Sequence, residues 1–98
     1  MGYEAGRNNQ ASDTVAIGTF AGFTGQQQYT VAIGDGAGQL QQGTGSVAIG
    51  PNAGQTTQGR NSVAIGVSSG AANQGDYAIA IGYNAGTINQ NDTSIVLN

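Results

Sequence analysis

The stretch Ser46-Val47-Ala48-Ile49-Gly50-Pro51-Asn52-Ala53-Gly54 carries the information that decides the fold, because it recurs. Thr30-Val31-Ala32-Ile33-Gly34 precedes it by sixteen residues, and Ser62-Val63-Ala64-Ile65-Gly66 follows at the same step. Thr14-Val15-Ala16-Ile17-Gly18 and Ala78-Ile79-Ala80-Ile81-Gly82 complete a series of five. A fixed period marks an architecture of stacked units. In that register Val15, Ile17, Val31, Ile33, Val47, Ile49, Val63, Ile65, Ile79 and Ile81 form two apolar columns. Turn glycines form two more: Gly18, Gly34, Gly50, Gly66 and Gly82 directly after the strand, then Gly22, Gly38, Gly54, Gly70 and Gly86. A column of glutamines runs without exception through Gln10, Gln26, Gln42, Gln58, Gln74 and Gln90.

The repeat reverses what the bulk composition implies. The chain has 98 residues, 18 of them Gly, only seven charged, and a net charge of −3. Such figures resemble those of a disordered segment. Disorder gives no reason for glycine to recur at fixed positions, however. The large-small-large alternation of Val47-Ala48-Ile49 is that of a short β-branched strand, with Val and Ile on one face and Ser46 and Ala48 on the other. Gly50 ends the strand, and Ala53-Gly54 marks a second bend. The polar remainder, such as residues 55–61, has room for a second short strand. Two strands and two turns in sixteen residues make one coil of a parallel β-solenoid, all-β in class. About six coils at ~4.8 Å give a rod near 29 Å. Strands are expected near 14–17, 30–33, 46–49, 62–65 and 78–81, within a solenoid spanning 1–93. Residues 94–98 then form a terminal coil or the exit to another domain. Met1 stands in the column of Ile17, so the expectation is an excerpt from a longer fibre.

Two packings of the coil are open. Either Val and Ile fill its interior while the Ala/Ser face meets neighbours, or the roles are exchanged; the apolar character of Val and Ile favours the interior. The Gln column is expected to act as a structural ladder or as a cap on turn carbonyls. One coil buries little, and thin cores recruit a disulfide, a metal or association. The chain has no Cys and no His, which leaves association.

The same absences exclude chemistry. Without Cys, His or Lys, there is no Cys/His zinc site, no triad and no Schiff base. Arg7 and Arg60 are the only basic residues, too few for a nucleic-acid footprint. No apolar run is long enough to insert into a membrane. Among the five carboxylates, Asp76 and Asp92 share a column on adjacent coils, which reads as a solvated edge. No catalytic, cofactor-binding or metal-binding residue is assigned, and the chain is expected not to be an enzyme.

In tandem, Ser46-Val47-Ala48-Ile49-Gly50 with Ala53-Gly54 resembles the head repeat of trimeric autotransporter adhesins, the YadA-like or haemagglutinin-type repeat. Similar repeats occur in fibre proteins of bacteriophages and large DNA viruses, and the resemblance covers nearly the whole chain. It implies a left-handed parallel β-roll, assembled as a homotrimer and displayed at an extracellular cell surface, virion surface or tail fibre for host attachment. The bacterial repeats are usually shorter and lack the Gln58-Gly59 and Gln74-Gly75 segments. This departure aligns the chain with the viral fibre version and withholds the bacterial matrix-binding role. The leading expectation is a structural segment of a fibre or adhesin. The alternative is a module that binds a host glycan or protein receptor through exposed turn residues, among them Tyr3, Tyr29, Tyr77 and Tyr83. An ice-binding solenoid ranks third, since only one Thr/Ser column, at 14, 30, 46 and 62, is present.

Overall fold

A computed structural model describes residues 1–98. Six three-residue strands, β1 (Val15–Ile17), β2 (Val31–Ile33), β3 (Val47–Ile49), β4 (Val63–Ile65), β5 (Ile79–Ile81) and β6 (Ile95–Leu97), form one sheet in chain order. Every neighbouring pair is parallel and in register at a step of sixteen, as in Val47↔Val63 and Ile49↔Ile65. This is a parallel β-solenoid, and its longest dimension is 29 Å. β6 pairs with β5 in the same register, so residues 95–97 continue the sheet.

Each coil turns sharply where the sequence places glycine. Ala53 N–H donates to Gly50 O at 3.1 Å and closes the turn after β3. Asn52 lies inside that turn at φ +60°, a conformation Asn tolerates better than most residues. Gly50 itself has φ +121°, and a Cβ there would stand 2.9 Å from the carbonyl carbon and oxygen of Gly66 on the next coil. Close coil-on-coil approach therefore requires glycine in this column.

The second side of the coil is not a strand. It is reduced to single bridges such as Thr24↔Leu40 and Gln42↔Gln58. Between those positions the ninth residue of the unit turns to positive φ at Asn9, Gly25, Gln41, Asn73 and Asn89. That conformation breaks extended pairing.

The interior differs from the favoured packing. Val15, Val31, Val47, Val63 and Ile79, with Ile17, Ile33, Ile49, Ile65 and Ile81, are half-buried or exposed on the outer face of the sheet. The central residues of the inner strands, Ala32, Ala48, Ala64 and Ala80, are fully buried instead. Every buried apolar side chain in the chain is an alanine. A coil of sixteen residues is too narrow for opposed branched side chains, so its lumen takes methyls, hydroxyls and one amide per turn. Cohesion comes mainly from the backbone: 57 main-chain hydrogen bonds link and close the coils.

The invariant glutamine is a strut across the lumen. Gln58 Nε2 donates to Val47 O at 2.7 Å, eleven residues back on the opposite wall. Gln26, Gln42, Gln74 and Gln90 repeat the bond to Val15, Val31, Val63 and Ile79. It spans the coil and does not ladder from coil to coil. Its Oε1 is buried without a hydrogen-bond partner in five coils. The carboxamide occupies the space that a Cβ on the second glycine column would fill: at Gly54 that Cβ would lie 2.8 Å from Gln58 Cδ and Oε1. Gly and Gln four residues apart are thus interlocked.

This interlock predicts a coupled pair of substitutions. Gly54→Ala, at φ +52°, and Gln58→Ala should each cost about 2 kcal/mol, from a clash in one case and a cavity with a lost bond in the other. The double variant should be less destabilised than the sum by about 1 kcal/mol, because the new methyl enters vacated space. Urea unfolding of all four proteins at one chain concentration checks this. Strict additivity would show that the two positions are independent.

Candidate functional site

The candidate site is the outer face of the sheet. With Ala and Ser/Thr turned inward, period-2 alternation leaves Val and Ile pointing out on every coil. The result is an apolar strip two columns wide and six strands long. Val15 is 41% exposed, and Ile17 and Ile81 are each 39% exposed. Contiguous apolar surface of this kind marks an interaction site. No charged side chain lies within the strands themselves.

The hydroxyl column that flanks the strip in sequence faces the interior. Thr30, Ser46 and Ser62 are buried, and Ser46 Oγ donates to Gly43 O at 2.6 Å. Thr30 and Ser62 make the equivalent bonds to Gln27 O and Gly59 O. The column therefore braces a turn and presents no hydroxyl array to water, which removes the structural basis of the ice-binding alternative. Sequence reasoning missed this role, although restriction of the column to Thr, Ser and Ala was its signal.

All four tyrosines are exposed and lie in the two turn columns that bracket the strip. Tyr29 and Tyr77 hold φ of +60° and +58°, where other coils place Gly45 and Asn61. Tyr3 packs edge-on against Phe20 at 5.8 Å, and Phe20 against Phe23 at 5.4 Å. Arg7 stands 5.9 Å above the Phe23 ring and pairs with Glu4 at 2.6 Å.

The carboxylates Asp76 and Asp92 do not form a catalytic pair. Each receives a backbone N–H from the coil before: Arg60 N–H donates to Asp76 Oδ1, and Asp76 N–H to Asp92 Oδ1, both at 2.9 Å. Arg60 also pairs with Asp76 through its guanidinium at 3.1 Å. The backbone bond from Arg60, aided by its side-chain bond, holds the Asp76 carboxyl below its ordinary range. Polar ladders lie in the variable columns, as in Gln55 to Gln39 and Asn73 to Asn89, each 3.0 Å.

Residues 42–53 and 58–85 match the model of the YadA head domain repeat, in two copies. Over those residues the chain is similar to the YadA-like head repeat. No curated protein and no solved structure matches the chain significantly. The matched residues contain β3, β4 and β5. In the sixteen-residue unit of this chain, Val-Ala-Ile thus divides its labour: Ala packs the lumen, and Val and Ile form the outer strip.

Proposed function

We propose that the chain is a non-catalytic structural segment of a trimeric surface adhesin or fibre, in which three copies pack their Val/Ile faces around a common axis. The observation that carries this reading is the outer strip itself. The largest apolar residues of the repeat are turned away from the chain's own interior, whose buried apolar side chains are all alanine. A small domain so constructed gains its missing apolar burial from association. The YadA head match supports a homotrimer and an adhesin-type role in attachment to a host or surface. It also supports display on an extracellular cell surface, with a virion or tail fibre as the setting favoured by the Gln-Gly segments.

Closed cyclic symmetry fits the geometry, because a straight strip repeated in register offers an identical surface to each neighbour. Sedimentation equilibrium and native mass spectrometry test the assembly. A trimer at micromolar chain concentration is the expected outcome, and a monomer under those conditions overturns it.

A further inference from the structure

We propose that the groove at Gly25 is a binding site for one neutral sugar residue of a glycan. The groove has a volume of about 420 Å³, and its lining includes Asn9, Thr24, Gly25, Gln27, Gln41 and Gln42. That is within the usual size of a small-molecule site. No lining residue is hydrophobic and none carries charge, so the groove offers no counter-charge to an ionic ligand. Side-chain amides and a hydroxyl, each able to donate and to accept, match the hydroxyl groups of an uncharged sugar.

Gly25 makes this groove, and nothing in the backbone compels it to be glycine. At each of the other 17 glycines a Cβ would meet an atom at 2.9 Å or closer, whereas at Gly25 the nearest is Gln41 Cα at 3.5 Å. Its positive φ is no reason either, since Asn9, Gln41, Asn73 and Asn89 adopt the same conformation in the same column. Elsewhere that column forms side-chain ladders, as between Asn73 and Asn89. The missing side chain interrupts the ladder and leaves Asn9 and Gln41 two coil spacings apart, about 9.6 Å. One pyranose ring with a hydrogen bond at each end spans that gap. The side chains of Asn9, Thr24 and Gln27 make no hydrogen bond within the chain, while Gln41 Oε1 only receives a long 3.4 Å bond from Thr57.

The groove lies half a coil from the Val/Ile strip in sequence, so it does not depend on the proposed assembly, and sedimentation distinguishes failure of one from failure of the other. NMR titration of the full chain with glucose, galactose, mannose and N-acetylglucosamine, and with sialyllactose as a charged control, is the test. At least one neutral sugar should produce saturable millimolar shifts at Gly25, Gln27 and Gln41. Gly25→Asn should weaken that binding at least about tenfold while keeping or raising the melting temperature. Gln27→Ala should weaken it with the fold unchanged. Absence of saturable shifts at these residues, a response to sialyllactose alone, or undiminished binding by Gly25→Asn would each overturn the assignment.

Discussion

Ile49→Asp should dissociate the assembly and leave the coil folded. Ile49 lies outside the lumen on the central strand β3, so in a lone chain the carboxylate reaches water and disturbs little. In a trimer three carboxylates would converge on the buried strip. Loss of about 2 kcal/mol of apolar burial per copy, about 6 kcal/mol in all, corresponds to about four powers of ten in the dissociation constant. Burial of unpaired charge adds to that penalty. Ile49→Thr, which keeps the β-branch and adds no charge, should give a smaller shift in the same direction. Sedimentation equilibrium read beside far-ultraviolet circular dichroism separates the cases. Collapse of the β signal with oligomers intact would mean that Ile49 supports the coil and does not hold copies together.

The second large effect belongs to the glycine column after each strand. Gly66→Ala would set a Cβ 2.8 Å from Gly82 O and 2.9 Å from Gly82 C, at φ +123°. The neighbour is backbone and cannot rotate aside, and the conformation is nearly exclusive to glycine. A cost of at least about 3 kcal/mol follows, a large fraction of the stability of a small domain and about 15 °C in melting temperature. Gly36→Asn is the internal control. Gly36 also has positive φ, at +70°, but its column accepts Asn52 and Asn84 in the same conformation, and the contact its Cβ meets is the Asn52 side chain. Thermal unfolding should place Gly36→Asn near the parent and Gly66→Ala far below it. Equal losses would show that positive φ alone, and not close approach of successive coils, makes glycine necessary after the strand.

These contrasts show what a one-dimensional reading of the repeat can reach. Strand positions, the sixteen-residue step and both glycine columns were legible because each answers a local demand: β-branching, a turn, a missing Cβ. The inner face of the strand was not. Hydrophobicity favours Val and Ile inside, but it is lumen volume that decides, and that volume depends on how tightly the opposite wall closes. A subtler signal was present. Ala16, Ala32, Ala48, Ala64 and Ala80 keep one size through five coils and change only at Val96 in the terminal one, whereas the Val column gives way to Ile79 within the stack. An interior with room for one methyl tolerates no such exchange. The Gln column was recognisable as structural, yet its direction across the coil depends on the bare glycine four residues earlier. The groove at Gly25 was invisible for a similar reason. It is defined by what the adjacent coils carry at that height, and only stacking brings Asn9, Gly25 and Gln41 into one line.

The uniform register of β1 to β6 has a consequence for how such a chain can change over generations. Tandem duplication or loss of one sixteen-residue unit would lengthen or shorten the rod by one rung, about 4.8 Å. Residues away from the altered unit would keep their neighbours above and below. Lumen, strip and struts would join seamlessly across the new boundary, since each rung is both plug and socket for the next. Reach becomes a quantity that heredity can adjust by counting, with the contacts of the constant columns already in place.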